Sequence, residues 1–174
     1  MIGRPVAGLY VGTMRLVVLG DTHIPDFAKA LPPGLLRALR RADLILHAGD
    51  VTASEVLDQL AGYAPVHAAM GNGDGPGVQA WGALPVVELD IDGIRVAMLH
   101  DAGPREGRER RMRRRFPQTD LVVFGHSHIP IDAEQDGLRL LNPGSPTWKR
   151  RQPAPTYATV DVEGGQIRSR IVSL

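Results

Sequence analysis

The amino-acid sequence predicts an α/β fold of two sheets covered by helices. Short β-rich runs alternate with amphipathic stretches through the first half, and turn-linked strand pairs take over from residue 84. Donor-rich polar clusters stand where hydrophobic runs stop. The first pattern is the rhythm of βαβ units in a largely parallel sheet, and the second is that of hairpins.

Taken in order, Leu16 to Leu19 reads as the first strand and Leu35 to Arg40 as the first helix. Leu44 to Leu46 is the second strand. Ser54 is the expected cap of a helix beginning at Glu55, in which Val56, Leu57 and Leu60 supply an apolar face to lay on a sheet. Pro65 to Met70 is the third strand. Pro85 to Leu89 and Ile94 to Leu99 are joined by Asp92-Gly93, a tight-turn dipeptide, and so form a hairpin. A charged helix follows at about Glu106 to Phe116, then the apolar strand Leu121 to Phe124, then strands linked by turns at Asp136-Gly137 and Gly164-Gly165. Pro143 to Pro155 is rich in proline and basic residues and reads as loop. Its lead, Asn142-Pro143-Gly144-Ser145, is first of all a turn after a strand, with a wall of the active site as the alternative.

The 174 residues suit one domain, placed at 14–174, with residues 1–13 a tail or extended start. Twenty Lys and Arg against 19 Asp and Glu leave a net charge of +1, so the whole molecule is no magnet for nucleic acid or an anionic membrane. Cysteine is absent, which excludes disulfides and thiolate metal sites and makes the cytoplasm the expected compartment. No apolar run approaches the roughly 20 residues that span a bilayer, and no signal peptide is expected.

The polar clusters are Asp21-Thr22-His23, Gly49-Asp50, Gly71-Asn72-Gly73-Asp74, Leu99-His100 and Gly125-His126-Ser127-His128. Each follows a predicted strand at its carboxyl end, where ligands bind in open α/β sheets. The expectation is therefore five loops converging from one edge of one sheet, turned inward at Gly20, Gly49, Gly71 and Gly125. Singly, each cluster reads as an ordinary turn or a satisfied polar residue. Jointly they present Asp, Asn and His donors of the kind that Mn, Fe, Zn, Ni or Co accept, and they read as a two-metal phosphoesterase site.

The ordered set Asp-x-His, Gly-Asp, Gly-Asn-x-Asp, His and Gly-His-x-His resembles the calcineurin-like metallophosphoesterase superfamily, and within it the small bacterial and archaeal phosphodiesterases of the YfcE type. The likeness runs from Met14 to the C-terminus and includes Asn142-Pro143-Gly144-Ser145. It implies a four-layer α/β/β/α sandwich with two mixed sheets and a binuclear metal centre. Carried over by motif, Asp21, His23, Asp50 and His128 would hold the first metal, and Asp50, Asn72, His100 and His126 the second. Asp50 would then bridge, and Asp50, Asn72 and His100 would carry catalysis. Manganese is the expected metal, with Ni, Fe, Zn or Co as substitutes.

Two departures from the superfamily pattern matter. Many members have a histidine after the asparagine that acts as a general acid; here the position is Gly73, as in the YfcE-type relatives. Slow turnover or a preference for good leaving groups is expected. Relatives also show His-Gly-His where this chain has His100-Asp101-Ala102, which leaves Asp101 as a candidate supporting residue only.

The expected reaction is hydrolysis of a phosphate diester by in-line attack of metal-bound hydroxide, with activity falling in acid. The expected partner is a small phosphorylated substrate, no membrane is involved, and self-association into a homo-oligomer stays open. A nuclease of the same mechanism and a non-catalytic interaction scaffold of the same fold are the alternatives. Arg105 to Arg115 carries seven arginines, read chiefly as a solvated helix face. Lys149-Arg150-Arg151 adds a second basic group, and with few aromatics nearby in sequence neither run predicts base stacking.

Overall fold

Strand β1 (Met14–Leu19) shows how the layers arise. Leu16 and Val18 pack into one apolar cluster, Val17 and Leu19 into another, and all four are fully buried. A strand buried on both faces belongs to the middle of a sandwich. The structure is a computed structural model that describes residues 12–174; the proposed tail therefore lies, up to residue 11, outside the described residues.

Beside β1 run β2 (Leu44–His47) and β3 (Val66–Ala68), all parallel, as the alternating pattern predicts. On its other side β1 pairs antiparallel with β9 (Thr156–Glu163), which pairs with β10 (Gln166–Ser173), giving the order β10-β9-β1-β2-β3. The second sheet also has five strands. It comprises β4 (Val86–Ile91), β5 (Ile94–Leu99), β6 (Leu121–Val123), β7 (Ile131–Gln135) and β8 (Leu138–Asn142), in the order β4-β5-β6-β8-β7, with parallel pairs at its centre and antiparallel pairs at its edges. Both sheets are mixed. The Asp92-Gly93 and Asp136-Gly137 turns each place two successive residues at positive φ, the geometry of tight two-residue hairpin turns.

Between the sheets Leu16, Val18 and Leu46 meet Met98, Val123 and Leu141. Outside the first sheet, α1 (Pro33–Leu39) and α2 (Ser54–Ala61) bury Leu35, Leu39, Val56, Leu57 and Leu60 against Val17, Leu19 and Ile45. Outside the second, α4 (Arg108–Arg115) buries Met112 against Val122, Phe124 and Leu138. The result is an α/β/β/α stack, and each fully buried Leu or Val in it contributes about 1.5–3 kcal/mol.

The details differ from the sequence reading at three points. Ser54 lies inside α2 and caps nothing; Ala53 holds the cap position, and its carbonyl accepts the Val56 N–H at 3.1 Å. A short helix α3 (Pro76–Trp81), begun by a proline at its first turn, occupies a stretch with no amphipathic signature. The polar clusters do not share one sheet. Asp21, Asp50 and Asn72 follow β1, β2 and β3, whereas His100 and His126 follow β5 and β6 of the other sheet. A cluster's place after a strand says nothing about which sheet the strand joins. The two sheets present their parallel strands' carboxyl ends at the same end of the sandwich, so the loops converge all the same.

Candidate metal centre

Five of the seven sequence-predicted site residues occupy the left-handed region: Asp21 (φ 55), His23 (φ 44), Asp50 (φ 55), His126 (φ 67) and His128 (φ 58). Asp and His tolerate that region better than most residues, yet each such placement costs about 1 kcal/mol or more. Backbone bonds across the site hold them there. Asp21 N–H donates to Gly49 O at 2.9 Å, His23 N–H to Asp50 O at 3.0 Å, and His126 N–H to Asp21 Oδ1 at 3.2 Å. The loops also meet without side chains between them. A Cβ on Gly71 would collide with the backbone and carboxylate of Asp50, and one on Gly49 would lie 2.8 Å from His100 Nδ1.

One donor group is Asp21, His23 and His128, all buried. His128 Nδ1 lies 2.7 Å from the Trp148 carbonyl, which can only accept, so Nδ1 carries the proton and Nε2 offers its lone pair to the group. That Nε2 is 3.3 Å from His23 Nε2 and 3.4 Å from Asp21 Oδ1. Asp21 Oδ2 is buried with no hydrogen-bond partner.

The other group forms around His100, whose Nδ1–H donates to Ala48 O at 2.7 Å and so frees Nε2. Nε2 faces Asp50 Oδ2 at 3.4 Å and Asn72 Oδ1 at 3.1 Å. His126 Nδ1 adds a fourth donor, 2.9 Å from Asn72 Oδ1 and 3.3 Å from His100 Nε2. Asp50 Oδ2 also lies 3.5 Å from His23 Nε2, so it stands between the two groups. Asp21 shares this position, lying close enough to Asp50 and His100 to join either set. All seven sequence-predicted residues are therefore brought together, with His126 and His128 directed to different groups from one turning loop.

Such an arrangement suits cations. Lone pairs of His100, Asn72 and Asp50 converge, and donors bound to one metal at about 2.0–2.2 Å lie about 3–3.5 Å apart. The pKa shifts of these side chains agree. Burial pushes the Asp21 carboxyl up to about 7, against the opposing pull of His100. Burial pushes His128 down to about 4. Asp50 is also partly desolvated, but the neighbouring His100 and the Gly73 N–H outweigh that and bring it down to about 2. A buried Asp21 carboxylate oxygen without a hydrogen-bond partner, on a residue grouped with His23 and His128, fits a divalent cation.

Several supporting residues were not legible as such. Asp74 accepts three backbone N–H groups, from Asp50 at 3.0 Å, Thr52 at 2.8 Å and Gly71 at 2.7 Å, and so ties two loops together. His47 is fully buried; its Nδ1 accepts the Gly49 N–H at 3.2 Å and its Nε2–H donates to Thr22 Oγ1 at 3.1 Å. The Asn142-to-Ser145 segment is more than a turn. Asn142 Nδ2 donates to Gly125 O, and Ser145 Oγ donates to Asp21 O at 2.8 Å. Asp101 accepts the Gly103 N–H in its own loop and joins neither donor group.

The arginine-rich helix is only in part a solvated face. Arg108, Arg111 and Arg113 donate to the carbonyls of Gly103, Ala102 and Thr119 respectively, fastening the segments on either side of α4. Arg105, Arg110, Arg114 and Arg115 are exposed. Of the two tryptophans, Trp81 bonds Asp58 between α2 and α3, whereas Trp148 stands edge-on to His128 with ring centroids 5.0 Å apart.

Residues 14–165 match the calcineurin-like phosphoesterase superfamily domain. A probable metallophosphoesterase of Methanothermobacter thermautotrophicus is 34% identical over 163 residues, covering 91% of this chain and 92% of its own. Another from Methanocaldococcus jannaschii is 38% identical over 143 residues, covering 80% and 71%. Among solved structures, Vacuolar Protein Sorting 29 from Cryptosporidium parvum has a TM-score of 0.77 at 21% identity, covering 93% of this chain and 98% of that one. A novel archaeal phosphodiesterase has a TM-score of 0.70 at 20% identity, covering 91% and 100%. Both solved structures share the fold.

Proposed function

The chain belongs to the calcineurin-like phosphoesterase superfamily, and from that premise we propose that it is a binuclear metal-dependent phosphodiesterase. One observation carries the proposal: two sets of converging oxygen and imidazole lone pairs with Asp50 Oδ2 between them. Asp21, His23, Asp50 and His128 would hold one divalent cation, and Asp50, Asn72, His100 and His126 the other. Manganese is the proposed metal, because a mixed oxygen and imidazole donor set without thiolate suits it. Such a pair supplies Lewis acidity toward a phosphoryl oxygen and a lowered pKa for coordinated water.

The chain's own residues do the rest. Gly73 N–H fixes Asp50 Oδ1 at 2.7 Å, which leaves Oδ2 free to be shared. The Ala48 and Trp148 carbonyls each hold a proton on Nδ1 of His100 and His128, so that Nε2 is the nitrogen turned toward the donor groups. Asn72 and His126 are exposed and mark the open side, where a phosphate would enter. Asn72 contributes a neutral oxygen, which limits the negative charge facing an anionic substrate. No side chain at Gly73 can donate a proton to the leaving group. A small phosphorylated substrate fits better than nucleic acid, since three arginines of the basic helix are engaged with backbone carbonyls. The cytoplasm is the proposed compartment, supported by the cysteine-free composition; among the described residues no helix is long and apolar enough to cross a membrane.

The test is hydrolysis of bis-p-nitrophenyl phosphate and p-nitrophenyl phosphate by protein reconstituted with Mn, Ni, Co, Zn or Fe. Two metals per chain and faster cleavage of the diester are expected. Inactivity with every metal overturns the proposal.

A further inference from the structure

Phe27 and Trp148 reach each other from distant parts of the sequence and stack with ring centroids 3.6 Å apart and planes 9° from parallel. Trp148 stands edge-on to His23 and His128, with centroids 5.3 and 5.0 Å away, so the stack borders the Asp21, His23 and His128 group. The Arg150 guanidinium lies over the Trp148 ring, 4.6 Å from its centroid. With Phe27 against one face of the indole, Arg150 takes the other.

Phe27 remains 53% exposed. A large apolar ring left half in water beside a polar site is informative where a scattered surface leucine is not. Its backbone is held by the Phe27 N–H donating to His23 O at 2.9 Å, and its ring by the stack on Trp148 and an edge contact with His23 at 5.6 Å. The arrangement is thus a planar platform, Phe27 backed by Trp148 with the guanidinium behind both, at the mouth of a site suited to phosphate. A planar ring is what such a platform holds best, since stacking needs only a π-face.

We propose that Phe27, held against Trp148, forms a subsite for a planar aromatic group carried on the substrate phosphate, of the kind a nucleobase presents. The ring stacks on the open face of Phe27. This rests on the phosphodiesterase reading for its place in a reaction, but the subsite binds whether or not turnover follows.

The experiment uses the Trp81→Phe protein, in which Trp148 is the remaining tryptophan of the two. With manganese bound, affinities for adenosine 5′-monophosphate, phenyl phosphate and ribose 5-phosphate are measured by calorimetry, and Trp148 emission is followed. Adenosine monophosphate should bind about 5- to 100-fold more tightly than ribose 5-phosphate, the range that one base–aromatic stack supplies, and should quench the emission. Phe27→Leu should abolish most of that preference and Phe27→Tyr should keep it, both with unchanged metal content. Phenyl phosphate binding as tightly as adenosine monophosphate would assign the subsite to aryl esters in general; weaker binding would assign it to rings of nucleobase size. Equal affinities for adenosine monophosphate and ribose 5-phosphate, or a preference that survives Phe27→Leu, overturn the subsite. Loss of preference with intact hydrolysis of bis-p-nitrophenyl phosphate removes the subsite alone, whereas intact preference without hydrolysis removes the reaction alone.

Discussion

Asp74 Oδ2 accepts the backbone N–H of Asp50 at 3.0 Å, so the residue standing between the two donor groups is positioned by a carboxylate that belongs to neither. The same carboxylate holds Thr52 and Gly71. In Asp74→Ala three N–H groups lose a charged acceptor at once, which should cost about 2–4 kcal/mol of stability. Metal affinity should fall about 10- to 100-fold, as when other supporting partners of metal ligands are removed. Chemical denaturation and metal titration check the two halves. A variant with normal stability and normal metal binding would show that Asp74 supports nothing.

Asp50→Asn tests the sharing itself. The amide can still accept the Gly73 N–H through its oxygen, so the fold is preserved, but it then turns an NH₂ group toward His23 and His100. Metal content should drop from two per chain to one or fewer. Diesterase activity should fall by more than about 100-fold, beyond the loss typical of a supporting residue. Full metal content with full activity would refute the assignment of Asp50.

The sequence carries the site further than it carries the architecture around it, for a physical reason. Asp21, His23, Asp50, Asn72, His100, His126 and His128 are donors in short loops after apolar strands, and both features are local. Sheet membership depends on which strands pair, so the division of these loops between two sheets was not visible. Nor was Asp74's role, because an Asp in a Gly-rich loop looks the same whether it caps its own turn or bridges to another. The stack of Phe27 on Trp148 is a tertiary pairing across more than a hundred residues and has no sequence signature. Ser54 shows the reverse error, a good cap residue displaced by one position because Ala53 takes the extended conformation.

His47, which belongs to neither donor group, makes the fold acid-sensitive. Burial pushes its pKa down to about 3, and both ring nitrogens are already engaged, one as acceptor and one as donor. Its folded value lies below the unfolded value near 6.5. Its contribution is therefore present in full above about pH 6.5 and is lost as pH falls toward 3. His128, lowered to about 4, acts in the same direction, whereas the raised Asp21 and His100 oppose both, so the effect of His47 is read from the variant and not from the wild-type curve alone. His47→Asn should be less stable at pH 7 yet have a shallower acid slope, by about 1.4 kcal/mol per pH unit between pH 4 and 6. Urea unfolding of metal-free protein across that range measures it; parallel slopes would refute it.

Metal binding should be limited by protons on Asp21 and His100. Asp21 is raised to about 7 by burial, and His100 is raised because its contacts with Asp50 and Asp21 outweigh burial. A carboxyl raised on folding stabilises the metal-free protein below about pH 4, and that benefit is lost as pH rises through 7. Metal has the opposite dependence, since it needs the ionised carboxylate. Affinity should climb with pH up to about 7, by as much as tenfold per unit for each proton expelled, and then flatten. Calorimetry in buffers of different ionisation heat counts those protons. No proton release at pH 6 would contradict it.

Gly73 sets the chemistry that the site lacks. It is exposed, its φ is not positive, and a Cβ there would lie 3.2 Å from Asp50 Oδ1, so a side chain fits after a shift of a few tenths of an ångström. With no acid at this position, the wild type depends on the leaving group's own stability as an anion. Rates across a series of aryl and alkyl phosphodiesters should therefore fall steeply as the leaving-group pKa rises. Gly73→His places an imidazole beside the donor groups, and general acid catalysis is worth about 10²- to 10⁴-fold where the leaving group needs a proton. The variant should cleave alkyl esters up to about 100-fold faster while p-nitrophenyl esters change little, because p-nitrophenolate departs without help. A slope unchanged by Gly73→His, at unchanged metal content, would mean that another group already supplies the proton.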